Sequence, residues 1–293
     1  MGKLSRVSRV AAWGLGVLIA VVGLACGAVY AGFAWMTLRT LDVPLEPPPP
    51  RVTLADPAEA RRFTVLLGCV SCHGRDGGGG KVGLPGVLLI GSPNLTRVLP
   101  QYSDAELARL IRFGVRRDNR TALMMPTATF YPLGDDDLAR VMAYVRSLPP
   151  APDRGPGTGV REISFQARVG FVLGKVRTAA GSVDRSRPRW GELPRTTPFE
   201  RGRYLASITC SECHGVDFEG VEIQGSPTLR LVAGYDLDQF KHLLRTGEPL
   251  GERQLGEMAA VAKEDFVSFK DSEIEDIYAF LREHFAAPAA PAP

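Results

Sequence analysis

The chain has 293 residues, enough for two domains of ordinary size. With 23% charged and 8% aromatic residues, it has the composition of a folded protein. A formal net charge of +3 is too small to argue for nucleic acid, and no basic stripe interleaved with aromatics occurs, so no nucleic-acid partner is expected.

Lys3, Arg6 and Arg9 precede an uncharged run over residues 10–38, which Arg39 closes. A hydrocarbon core takes about 20 apolar residues as helix. The run exceeds that length, so residues 1–40 read as a single-pass membrane anchor rather than the shorter core of a signal peptide. The basic residues ahead of it place the N-terminus in the cytoplasm and everything after it outside. Two alternatives stay open: cleavage as a secretory signal, and lipidation at Cys26, because Leu24-Ala25-Cys26 is similar to the end of a lipobox. Gly23 stands where a lipobox prefers a larger aliphatic, and the apolar run continues past Cys26. Residues 41–54 form a proline-rich spacer. The four consecutive prolines at 47–50 exclude helix and central strand, and predict a stiff extended segment that lifts the first domain off the lipid.

Two copies of one signature follow, Cys69-Val70-Ser71-Cys72-His73 and Cys210-Ser211-Glu212-Cys213-His214. In C-x-x-C-H, two thiols add across the vinyl groups of a porphyrin, and the tether sets the adjacent imidazole on one face of the iron. C-x-x-C also serves thioredoxin-like chemistry and half of a zinc site. The zinc reading lacks further cysteines, since only Cys26 remains, and the thioredoxin reading lacks a strand before the motif. Two covalently bound haem c groups are therefore expected, and no cysteine is left for a disulfide framework. Bacteria attach c-type haem outside the cytoplasmic membrane, which agrees with the predicted topology. The expected location is the bacterial inner membrane, with both haem domains on the periplasmic side.

Around these motifs runs an internal duplication. Arg62-Phe63 and Arg203-Tyr204 stand six residues before the first cysteine (phenylalanine and tyrosine in register), each on a short helix entering the site. After the motifs come Ser92-Pro93-Asn94-Leu95 and Ser226-Pro227-Thr228-Leu229. Amphipathic stretches over 102–114 and 235–247 then end in glycine, as a helix C-cap often does. Closing helices carry Ala143-Tyr144-Val145-Arg146 and Ala279-Phe280-Leu281-Arg282, behind the acidic turns Asp135-Asp136-Asp137 and Asp271-Ser272-Glu273. Gly77 to Gly80 lack the G-K-[ST] of a phosphate loop and read as a tight turn at a haem edge. The domains fall at 55–150 and 196–286, separated by a basic linker at 151–195 and followed by a disordered tail at 287–293. A proline- and glycine-rich break over 148–159 opens the linker. From Arg161 to Arg203 there are ten basic and four acidic residues, and Phe165, Phe171, Leu173 and Trp190 among them point to a folded neighbour. Arg187 and Arg189 are candidates to neutralise haem propionates; the alternative is a solvated linker face.

This plan resembles the class I cytochrome c family, in particular the membrane-anchored di-haem cytochromes of bacterial respiratory chains. The resemblance implies an all-α fold around each porphyrin and two axial ligands per iron. One would be the histidine of C-x-x-C-H, here His73 and His214. The other would be a methionine between the two later helices. Met125 and Met258 each lie 11 residues beyond the glycine that ends the middle helix, Gly114 and Gly247. Met124 is one residue out of that register, and Met125 is followed by Pro126, as in the family. Met258 precedes Ala259 and sits in the helix-compatible stretch 257–262. Met142 reads as core, and His242 and His284, away from the ligand positions, read as surface or local packing residues.

Thioether ligation favours Fe(II) relative to bis-histidine ligation and leaves no vacant iron site. The function expected is electron transfer without catalysis: relay of single electrons between a quinol- or substrate-oxidising complex and a later acceptor. The alternatives are the cytochrome subunit of a dehydrogenase or oxidase complex and, from a different class, a di-haem peroxidase or haem sensor. The expected partners are the membrane and redox proteins whose identity the sequence does not encode.

Overall fold

A computed structural model describes residues 6–154, 161–222 and 225–286. The predicted tail at 287–293 and residues 155–159 of the predicted break lie outside the described residues. Helix α1 (Arg6–Leu38) occupies the apolar run. Helix α2 (Pro57–Leu66) starts where the Asp56 carboxylate accepts the amides of Ala58 and Glu59, with proline at the first helical position. The first motif forms α3 (Cys69–His73), followed by a hairpin of β1 (Gly80–Leu84) and β2 (Leu88–Ser92), then α4 (Leu95–Val98). The middle helix α5 (Asp104–Phe113) is opened by a reciprocal Ser103–Glu106 capping box and closed by left-handed Gly114. Short α6 (Thr127–Phe130) and the closing helix α7 (Asp135–Ser147) complete the first domain.

The second domain repeats these devices. After β3 (Arg161–Ile163), α8 (Phe165–Val172) and α9 (Ala179–Ser182) of the linker comes α10 (Pro198–Thr209), with a Thr197–Glu200 box and Pro198 at its first position. The second motif forms α11 (Ser211–His214). The middle helix α12 (Leu237–Thr246) has an Asp236–Gln239 box and left-handed Gly247. Then follow α13 (Glu257–Glu264), a 3₁₀ turn at Phe266–Ser268 and the closing helix α14 (Asp271–Ala286). Entry and closing helices cross closely enough at Gly202 that a Cβ there would meet the Asp276 carbonyl at 1.9 Å.

Both domains are helical as expected, and one buried cluster runs through them, from Phe63, Leu66, Leu138 and Val141 to Tyr204, Ile208, Ile277 and Phe280. The addition is a three-stranded antiparallel sheet, β1-β2-β3, in which Leu88 pairs with Leu84 on one side and Ile163 on the other. The linker is folded: Phe171 stacks edge-on against Phe33 of α1, and Trp190 lies 4.1 Å below the Arg203 guanidinium.

One expectation is overturned. The proline-rich spacer does not stand off the membrane; it lies along the first domain. Leu41 and Val43 pack on Phe113, Val115 and Tyr131, the Leu41 amide donates to the Asn119 carbonyl, and the buried Arg109 donates to the Val43 carbonyl. Glu46 pairs with Arg189 at 2.9 Å. The reason is that a polyproline-type segment makes no internal hydrogen bonds, so its carbonyls remain free for a neighbouring guanidinium.

Two candidate haem sites

Each motif helix is followed by the same loop, built from glycines at equivalent positions. Gly74 and Gly215 both have φ of 78°, and Gly79 and Gly220 have φ of 88° and 90°. The Gly79 amide returns to the His73 carbonyl at 2.9 Å, and the Gly220 amide to the His214 carbonyl at 2.8 Å. A Cβ on Gly79 or Gly220 would come within 2.6 Å of the Ser92 or Ser226 carbonyl, so only glycine fits this close approach. The loop thereby brings the prolines at 93 and 227 back over the histidines. His73 Nδ1 donates to the Pro93 carbonyl at 3.1 Å, and His214 Nδ1 donates to the Pro227 carbonyl at 2.8 Å.

A carbonyl can only accept, so this bond fixes the proton on Nδ1 and leaves the Nε2 lone pair for a metal. Burial pushes the pKa of both imidazoles down, which keeps them neutral as ligation requires. The cysteines are equally informative. Burial pushes the Cys69 and Cys213 thiols up to about 12 and the Cys72 and Cys210 thiols up to about 11. Thioredoxin-like attack and zinc binding both need a thiolate, which these surroundings oppose, whereas they suit an uncharged thioether.

The methionines differ in exposure. Met125 and Met258 pack half-buried on the core that also carries Cys69 and Cys210, while Met124 is 40% exposed. Met142 is buried in α7. His242 is exposed, with Nε2 3.0 Å from Glu248, and His284 packs edge-on against Phe218 and Phe285. Arg187 and Arg189 find carboxylates instead of standing free for propionates: Arg187 binds Asp217 through two bonds of 2.8 Å, and Arg189 pairs with Glu46 and Glu192.

The family model described as cytochrome c matches residues 58–149 and again 199–284. The chain belongs to the cytochrome c family. No curated protein matches it. Membership makes it a haem c protein of the electron-carrying kind, and the residues present fit that group: paired thiols in apolar surroundings, a neutral imidazole with Nε2 free, and a thioether on the adjoining core.

Each motif helix of the two cytochrome c domains meets the segment just ahead of the other domain's closing helix, so the contact is roughly reciprocal. Ser71 of the first motif donates to Asp265 at 2.8 Å, and Ser211 of the second lies 3.2 Å from Thr129. Asp265 and Thr129 hold equivalent places, each just before the aromatic residue, Phe266 or Phe130, ahead of a closing helix. The entry helices behave likewise: Arg62 binds Glu273 on α14, and the Tyr204 hydroxyl donates to Asp137 on α7 at 2.6 Å. Glu212, inside the second motif, keeps an exposed edge, yet desolvation by the surrounding protein and the nearby charges of Glu257 and Asp265 push it up to about 7. Neither Glu212 nor Asp265 was marked by the sequence, where each reads as an ordinary surface acid. The proline carbonyls could have been found, because Ser-Pro recurs at matching positions.

Proposed function

We propose that this chain is a membrane-tethered di-haem cytochrome c, relaying single electrons between a quinol- or substrate-oxidising complex and a downstream acceptor. In this reading Cys69 and Cys72 tether one haem and Cys210 and Cys213 the other. His73 and Met125 ligate the first iron, His214 and Met258 the second. Haem c, once bound, supplies reversible one-electron exchange at its iron. The residues supply the rest. Pro93 and Pro227 carbonyls hold the imidazoles in a single tautomer, and the thioethers of Met125 and Met258 fill the remaining coordination site, favouring the reduced state and excluding small molecules. The packed interface between domains holds the two sites rigidly, which limits reorganisation as charge moves.

The observation that carries this reading is that both C-x-x-C-H helices, each with its histidine carrying the same carbonyl bond, reach across to the other domain where the two share one core. The 31-residue stretch Ser8–Leu38 of α1, apolar and almost entirely exposed, supports the tether; with the basic N-terminus it favours one pass of the inner membrane and periplasmic haem domains. The test is a haem count with a potentiometric titration of the full chain in detergent. Two covalent haems per chain, two high-potential steps and no carbon monoxide binding by the reduced protein are expected. One haem per chain, or carbon monoxide binding at both centres, would refute the proposal.

A further inference from the structure

The apolar helix α1 is longer than a bilayer needs, and its surroundings divide it. Over residues 10–29 it is exposed or half-exposed all round, and a methyl group added at Gly14, Gly16, Gly23 or Gly27 would meet open space. Those 20 residues span about 30 Å as helix, the thickness of a hydrocarbon core. From Tyr30 onward one face of the helix is a protein contact, while Trp35 and Leu38 stay exposed. The Tyr30 ring is 6.1 Å from that of Phe165, Arg168 lies over Tyr30 and Phe33, Val172 sits 3.3 Å from where a Cβ on Gly32 would be, and Phe33 is buried. The lipid boundary therefore falls near Tyr30, an aromatic type favoured at that depth, and α8 lies at the same level.

Beside this boundary the folded part presents an apolar rim. Leu84 and Leu173 are each 68% exposed, and Val87, Phe165 and Val172 are exposed as well. These side chains come from two segments locked together. The Ser164 amide donates to the Val87 carbonyl at 2.9 Å, placing the tip of the β1–β2 hairpin against the start of α8, and Leu88, Ile90 and Ile163 pack with Phe33 and Phe171. Lys175 and Arg177 follow Leu173, exposed and without a carboxylate partner among the described residues; the acid nearest in sequence, Asp184, accepts from Ser186 and lies 3.6 Å from Arg187. Large apolar side chains gathered at one exposed edge, flanked by unpaired cations, match a phospholipid surface, and continuity with the membrane helix puts that surface within reach.

We infer that the hairpin tip at Leu84 and Val87, with Phe165, Val172 and Leu173 of the α8 segment, enters the headgroup region of the bilayer that α1 crosses. The haem domains are then seated on the membrane at a fixed tilt, with no stalk between. This rests on the reading of α1 as a membrane anchor.

The test places a photo-crosslinking benzoylphenylalanine at Leu84, Leu173, Val22 or Leu250, one site at a time, in the full chain. Each variant is reconstituted in nanodiscs of phosphatidylethanolamine and phosphatidylglycerol. Haem absorbance and circular dichroism of each are first matched to the unmodified protein. Lipid adducts are expected at Val22, Leu84 and Leu173, with a yield at Leu250, an exposed residue of the second domain, at least fivefold lower. Adducts at Val22 but none at Leu84 and Leu173 would overturn the seated arrangement and leave the anchor standing. No adduct at Val22 would remove the anchor, and the seating with it.

Discussion

Arg62 is the most informative single side chain joining the two domains. Its guanidinium makes five hydrogen bonds: two to Glu59 at 2.7 and 2.8 Å, two to Glu273 at 2.8 and 2.9 Å, and one to the Ser268 carbonyl at 2.8 Å. Its side chain is only 18% exposed. Arg62→Met keeps the aliphatic packing and strands two carboxylates. Breaking a buried pair costs about 3–5 kcal/mol, and the partial exposure here, with Lys270 remaining 2.9 Å from Glu59, lowers this to about 2–3 kcal/mol. For a protein of this size that is a fall in melting temperature of about 4–10 °C. The loss should also depend on pH. The hydrogen bond from Arg62 holds the Glu59 pKa at about 2, below its ordinary 4.5, so this contribution is complete above about pH 4.5 and is lost as pH falls toward 2. Thermal unfolding of both proteins, followed by far-ultraviolet circular dichroism in detergent at pH 7 and pH 3, measures both effects. A fall below about 1 °C at pH 7, or a gap at pH 3 as wide as at pH 7, would refute the reasoning.

Three further changes probe the other half of the interface and the two sites. Asp137→Ala strips a partner from Tyr204, Arg140 and Arg195 at the reciprocal contact and should cost about 2–4 kcal/mol by the same unfolding assay; a loss under about 0.5 kcal/mol would deny the reciprocal description. Gly79→Ala and Gly220→Ala each force a Cβ against a carbonyl at positive φ, and should cost about 2–3 kcal/mol with reduced haem incorporation in the affected domain; full haem content with an unchanged melting curve would contradict the loop geometry. Met125→Ala should abolish the long-wavelength methionine–iron absorption of one haem and open it to carbon monoxide, whereas Met124→Ala should do neither. The reverse result would exchange the two assignments.

What could be read from the sequence was what repeats. Capping residues, terminal glycines and acidic first turns act within one or two turns of chain, so the boundaries of α5, α7, α12 and α14 follow from local chemistry and appear twice. The histidines and cysteines stood out because their C-x-x-C-H spacing is the one porphyrin attachment requires. The sheet was not: Leu88 and Ile163 pair across a large part of the first domain, and the glycine-rich hairpin between residues 80 and 92 has no clear alternation. The course of the spacer was hidden for a related reason. Its prolines dictate its conformation but not what lies beneath it, and the guanidinium of Arg109 that receives Val43 belongs to a helix 66 residues away. The crowding of Glu212 by Asp265 and Glu257 depends on how the chain folds back on the second motif, which leaves no trace in the motif's own sequence.

The duplication matters beyond doubling the cofactor count. A roughly reciprocal contact uses one surface patch twice, so a change in the ancestral domain is felt at two places at once, and only favourable contacts survive the pairing. The present interface keeps the receiving positions, Asp265 with Thr129 and Glu273 with Asp137, while the donors have shifted: Ser71 and Ser211 are the third and second residues of their motifs, and Arg62 and Tyr204 stand one position apart in register. The asymmetry falls beside the two motifs. Acidic side chains, Glu212, Glu257 and Asp265, gather around the second motif and its contact with the first, all of them contributed by the second domain. Glu212 and Asp265 act on Cys69 and Cys72 of the first motif, and Glu212 and Glu257 on Cys213 of the second, so the two sites have different electrostatic surroundings. Divergence of the interface after duplication is then what makes two copies of one domain inequivalent.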